Sequence, residues 1–202
     1  MRMSALGSRL RLLGLASLGF ILYTIINHLP WNAMVAHQIP TGLDGVIPLI
    51  PVFSIPYGLA MLVVIGTLIH IVMFSGRIEE ARACSYAYAF CLLVSCLTYL
   101  LFQTTVERPV VEAGDPFLVL VAFVYANDRP YNCFPSLHVS LTVIASLLWA
   151  ERRPRLRPVL FAWVVLVALS TLFMKQHYVA DVLAGALLGG ASHRFGARLA
   201  RS

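Results

Sequence analysis

The stretch Ile55–Phe74 reads IPYGLAMLVVIGTLIHIVMF, twenty residues without Asp, Glu, Lys or Arg. A helix needs about 20 mostly apolar residues to cross the hydrocarbon core of a bilayer. The run is continuous rather than alternating, which argues against the strands of about ten residues that build a membrane barrel. Working outward, five more runs approach that length: Leu12–Asn27 before it, and Ala83–Gln103, Ser136–Ala150, Pro158–Met174 and Tyr178–Ser192 after it. Charged residues make up 12% of the chain and hydrophobic residues 59%, whereas soluble domains are about 25% charged. The expected fold is all-α: a six-transmembrane-helix bundle, polytopic, forming a single domain over residues 1–202.

The basic residues orient this bundle. Arg2, Arg9 and Arg11 precede the first run, Arg77 and Arg82 follow the second, and Arg152, Arg153, Arg155 and Arg157 follow the fourth. Arg194, Arg198 and Arg201 end the chain. With six spans all four groups fall on one side, which the positive-inside rule makes the cytoplasm. The expectation is a multi-pass cell-membrane protein with both termini cytoplasmic. The net charge of +6 is then a topology signal, and nucleic acid is not an expected partner. The first run has the basic flank of a signal peptide, but Tyr23, Asn27 and Trp31 occupy the region where small cleavage-site residues belong, so an uncleaved anchor is expected. Cys84, Cys91 and Cys96 lie inside the third run and read as packing residues. No CxxC pair suggests a metal or redox site, and no cofactor is called for.

Only Arg108, Arg129 and Lys175 remain for the outer side. Two long outer segments hold or border them, the proline-rich Leu29–Ser54 and Thr104–Pro135. Within the second, Asp115-Pro116 predicts a helix start for the short apolar stretch Phe117–Tyr125.

Three outer sequences carry chemistry: Glu107-Arg108-Pro109, Phe134-Pro135-Ser136-Leu137-His138, and Lys175-Gln176-His177-Tyr178-Val179-Ala180-Asp181. His177 and Asp181 are four apart, one helical face if the sixth span starts near His177. The carboxylate would accept the Nδ1 proton and leave Nε2 as nucleophile or base; the structural alternative is a polar pair at a helix start. Ser136 and His138 open the fourth span, where a helix N-terminus suits an anion and His138 can protonate a leaving oxygen. The plainer reading is a capping serine and an interfacial histidine. Arg108 offers a fork of donors to phosphate or pairs with Glu107. Lys175 is a second cation or snorkels to the headgroups. Arg129 is a candidate partner for Asp128.

These sequences resemble the three signatures of the type 2 phosphatidic acid phosphatase superfamily, K-x6-R-P, P-S-G-H and S-R-x5-H-x3-D. Arg108-Pro109 matches the first, Pro135, Ser136 and His138 the second, and Ser170, His177 and Asp181 the third. The resemblance implies His177 as nucleophile, Asp181 as its orienter, His138 as acid, and Arg108 and Ser136 as phosphate ligands. The lysine slot holds Leu101, the glycine slot Leu137 and the arginine slot Thr171. These departures are similar to the inositol phosphorylceramide synthase-like branch, and Asp44, Pro48, Pro51 and Tyr57 match an upstream motif there faintly. Lys175 is the candidate replacement for a lost cation.

The implied activity is a metal-independent lipid phosphatase or phosphotransferase with an extracytoplasmic site. Its substrate would be a lipid phosphate or phospholipid in the bilayer. An isoprenoid or glycerolipid phosphate phosphatase is the alternative, followed by a catalytically weak lipid-binding protein and a transporter. The fourth and sixth spans, at about fifteen residues each, would cover roughly 22 Å. The histidines are therefore expected below the outer surface, roofed by the two long segments.

Overall fold

A computed structural model describes residues 2–112 and 114–201, with side chains from residue 6 onward. The Arg2 side chain, counted above in the basic flank, lies outside the described residues. The described residues form eight α-helices: α1 (Arg2–Asn27), α2 (Asn32–Val35), α3 (Ser54–Phe74), α4 (Ile78–Leu101), α5 (Pro116–Asn127), α6 (Leu137–Arg152), α7 (Arg157–Phe173) and α8 (Val179–Leu199). Among the described residues there is no strand, only isolated bridges joining His37 to Thr104 and Thr105 to Tyr131. Short 3-10 turns at Pro51–Phe53 and Pro154–Leu156 lead into α3 and α7.

Local chemistry sets the helix starts. Asp115 caps α5 by accepting from the Phe117 amide at 2.7 Å, with Pro116 at the first helical position. Ser136 caps α6. Tyr178 and Asp181 form a capping box at α8, with the Tyr178 amide donating to Asp181 Oδ2 at 2.7 Å. Side chains at helix starts satisfy amides that have no intrahelical partner.

Among the described residues four helices are long and apolar enough to cross a membrane: Leu6–Asn27, Pro51–Phe74, Ile78–Leu101 and Pro154–Phe173. The other two expected spans differ from these. Helix α6 has 16 residues, about 24 Å at 1.5 Å per residue. Helix α8 runs 21 residues, past Arg194 and Arg198, about 31 Å on the same scale. The helix therefore extends beyond the apolar run Tyr178–Ser192 read from the sequence, through its basic end. Its modest hydropathy has a packing reason. Helix α8 lies chiefly against α4 and α6, and buries Asp181, Gly185, Gly189, Ser192 and Gly196. A Cβ at Gly185 would sit 2.6 Å from the Ser136 carbonyl oxygen, and one at Gly189 2.5 Å from that of Ser140. Small residues four apart let helix backbones meet this closely, which brings the start of α8 onto the start of α6.

The main core joins α1, α3, α4 and α6, and includes Cys84, Cys91 and Cys96 as buried packing residues, as their positions in the sequence suggest. At one end of the bundle, Arg9 donates to the Val72 carbonyl at 2.6 Å and the Ser75 carbonyl at 2.8 Å. Arg152 pairs there with Glu80, and His193 lies 3.2 Å from Glu151. His70 stacks on Trp149 with centroids 5.4 Å apart. At the other end the two long segments are sewn over the helix starts. His37 donates to the Gln103 carbonyl at 2.9 Å, Ile50 to that of Phe173 at 3.0 Å, and Ser136 to that of Asp181 at 3.0 Å. A buried amide clasp holds this roof: Gln103 Nε2 donates to Asn32 Oδ1 at 3.2 Å and Asn132 Oδ1 at 2.8 Å.

Candidate active site

His177 stands in the turn before α8 rather than on the helix, two residues after Lys175, whose φ is 50°. That left-handed backbone is uncommon for a side chain larger than glycine. It turns the chain sharply between α7 and α8. His177 Nδ1 is 3.0 Å from the carbonyl oxygen of Cys133 and 3.5 Å from Asp181 Oδ2. The expected carboxylate thus stands at the edge of bonding distance of Nδ1, and a backbone carbonyl is the nearer acceptor. The Asp181 carboxylate is fully buried. Its Oδ2 serves the helix cap and its Oδ1 has no partner. With Nδ1–H donated to Cys133, Nε2 is left with its lone pair. Asn132, at φ 61°, presents the Cys133 carbonyl. Its own amide donates to Gln103 Oε1 at 2.8 Å, so the clasp in the roof also sets the imidazole.

His138 lies in the first turn of α6. Its ring centroid is 6.2 Å from that of His177, the planes tilted by 60°. The Tyr57 ring stacks on it at 4.1 Å. Ser136, fully buried, accepts from the Val139 amide at 3.4 Å and lines neither cleft beside the histidines. The plainer of its two readings, a helix cap, is the one the geometry supports.

Arg108 does not pair with Glu107. Its Nη1 donates to the Asp128 carbonyl at 2.7 Å, its Nη2 to Gln176 Oε1, and its guanidinium lies 4.7 Å over the Tyr125 ring. Arg108 Nε and Gln176 Nε2 are buried donors without a partner among the described residues. Asp128 does not pair with Arg129 either: its Oδ1 accepts from the Tyr23 hydroxyl at 3.0 Å and its Oδ2 from Tyr57 at 3.3 Å. Burial pushes the Asp128 carboxyl above its ordinary range, against the opposing charge of Arg108. Lys175 Nζ donates to the Asp44 carbonyl at 3.2 Å. Asp44 takes the Thr41 amide and hydroxyl at 2.6 and 2.7 Å on one oxygen, and the Val179 amide at 2.9 Å on the other. The faint upstream motif thus reaches the site through Asp44 and Tyr57.

Each histidine lines a cleft of its own. One, of about 480 Å³, is lined by His177, Arg108, Lys175, Asp44, Gln38 and Glu107 among others. The second, of about 290 Å³, is mostly apolar; His138, Tyr57, Asp128, Phe20, Met61 and Leu141 form part of its wall. Of the slots that depart from the resembled pattern, Leu101 is exposed at the end of α4, and Thr171 is buried with its hydroxyl on the Ala168 carbonyl. Neither supplies a charge. Gln176 and the Gly185–Gly189 pair escaped the sequence reading. A small-xxx-small spacing in an apolar run is the signal that finds the latter.

Fold and site together describe a helical membrane protein with a histidine pair and two cations at one end of its bundle. The PAP2 superfamily model matches residues 27–195, and the chain belongs to that superfamily, whose members imply an enzyme of phosphatase type. The chain is 30% identical over 78 residues to an uncharacterized protein of Methanocaldococcus jannaschii, covering 39% of this chain and 32% of that protein. It is 33% identical over 58 residues to the inositol phosphorylceramide synthase catalytic subunit AUR1 of Saccharomyces cerevisiae, covering 29% of this chain and 14% of that subunit. The matches span well under half of either relative's length.

Proposed function

We propose that this protein is a lipid phosphatase or phosphotransferase working through a phosphohistidine, with six spans and its active site on the extracytoplasmic face. The observation that carries this reading is the facing pair of histidines, 6.2 Å apart, beside a cleft lined by Arg108 and Lys175.

In the first step His177 Nε2 attacks phosphorus. The P–O bond to the leaving alcohol breaks, and His138 gives that oxygen a proton. Asp181, 3.5 Å from the imidazole, compensates the positive charge that develops on the ring, while the Cys133 carbonyl holds Nδ1–H. In the second step His138 takes a proton from water or an alcohol, whose oxygen attacks phosphorus and releases His177. Arg108 and Lys175 balance the charge spread over the phosphoryl oxygens. The buried donors on Arg108 and Gln176 that lack protein partners support a site whose hydrogen bonding an anion completes. With two cations in place the chemistry requires no metal, so turnover is expected to persist in a chelator.

The similarity to a synthase subunit that carries inositol phosphorylceramide in its name supports transfer to a lipid alcohol over hydrolysis. The test is purified protein supplied with a lipid phosphate or phospholipid, with and without an alcohol acceptor. A new phospholipid supports transfer, free phosphate supports hydrolysis, and neither product across such a panel counts against both.

A further inference from the structure

Asp128 lies outside the signature sequences, yet it touches both halves of the site. Its two carboxylate oxygens are occupied by tyrosine hydroxyls, Tyr23 at 3.0 Å and Tyr57 at 3.3 Å, so it stands as a clamp rather than a free base. Tyr57 is buried and lays its ring on His138, centroids 4.1 Å apart and planes within 25°. No hydrogen bond to the His138 ring is found among the described residues, so stacking is what orients it. On its other side Asp128 offers its backbone carbonyl to Arg108 Nη1 at 2.7 Å. One loop residue thus touches the phosphate cation through its main chain and the acid–base histidine through a tyrosine.

We propose that Asp128 is the positioning residue of His138, holding the imidazole through the Tyr57 hydroxyl and ring. Side-chain substitution leaves the carbonyl contact to Arg108 available. Losing the carboxylate should therefore act on proton transfer, read in kcat; since it also removes a negative charge near Arg108, phosphate binding, read in KM, should not weaken. This positioning role rests on the phosphohistidine reading above, and the experiment separates the two.

The experiment measures phosphate release from dioctanoyl phosphatidic acid by wild type, D128A, D128N, Y57F, the D128A/Y57F double variant and H177A. Expected are a fall in kcat of about tenfold in D128A and Y57F with KM within about twofold. Partial rescue in D128N is expected, since an amide oxygen still accepts from one hydroxyl. The double variant should be no worse than the poorer single one, because both changes break one link. A risen KM at unchanged kcat, or losses that multiply in the double variant, overturns the proposal. Activity in H177A overturns the phosphohistidine reading instead. Hydrogen–deuterium exchange at the imidazole C2 position, read by mass spectrometry, decides the point without turnover. In D128A and Y57F exchange at His138 should rise by about threefold or more as the ring loosens, with exposed His28 unchanged. Unaltered exchange at His138 sinks the clamp.

Discussion

The two ends of the bundle both carry cations and use them differently. At the arginine-rich end, Arg9 finishes two carbonyls near the end of α3, where a positive charge complements the helix dipole, and Arg152 takes Glu80. These cations close helix ends. At the other end Arg108 and Lys175 are fewer, and each is held by backbone or amide oxygens rather than by a carboxylate. Carboxylates do stand near them, Asp128 by Arg108 and Asp44 and Glu107 along the same cleft, but among the described residues none is hydrogen-bonded to either cation. What sets the two ends apart is the kind of partner each cation has, not the number of basic residues.

The largest effect that would sharpen this contrast is at His177. His177→Ala should lower turnover by about a thousandfold or more, since no other group is placed to carry the phosphoryl; product formation by mass spectrometry of the lipids checks it. His138→Ala should cost roughly a hundredfold or more, within the range of a lost general acid, and a leaving group of low pKa should recover much of the first step.

Lys175→Met comes next, lowering kcat/KM by about tenfold, or 1.4 kcal/mol. Near-normal kinetics would return Lys175 to the snorkelling role and reduce the site to one cation. Gly189→Leu should then damage both helix packing and activity. The larger side chain has no room against the Ser140 carbonyl, and overpacking costs about 1–3 kcal/mol, read as a lower midpoint of thermal unfolding in detergent. The smallest effect is expected at the opposite end. Arg152→Gln should keep activity within about twofold and lose at most about 1 kcal/mol of stability, the usual worth of a partly exposed pair. A large loss of activity there would break the comparison between the ends.

The helical fold was legible because long apolar runs have few other solutions. The motif residues were legible because their chemistry is unusual beside apolar helices, and the structure does bring His138, His177, Arg108 and Lys175 to one end of the bundle. Partners were harder to read. The acceptor for His177 is the carbonyl of Cys133, and a backbone atom carries no residue signature. The Arg108–Glu107 pair, the alternative to phosphate binding, and the candidate Arg129–Asp128 pair were drawn between sequence neighbours. The partners found, Asp128 and Gln176 for Arg108 and Tyr23 and Tyr57 for Asp128, arrive from distant segments that only the fold joins. Helix α8 outruns the apolar stretch that ends at Ser192 because its last turns carry exposed arginines, Arg194 and Arg198, which a hydropathy reading stops at but a helix does not.

The most direct test of the account is capture of the covalent intermediate. The protein would be mixed with a lipid phosphate, quenched in base to preserve phosphohistidine, digested, and the peptides mapped by mass spectrometry. The account predicts one phosphoryl group on His177, raised in His138→Ala when the leaving group needs no acid, and absent from His177→Ala. A phosphoryl group on another residue, or steady turnover with His177 unmodified at every time sampled, would contradict it.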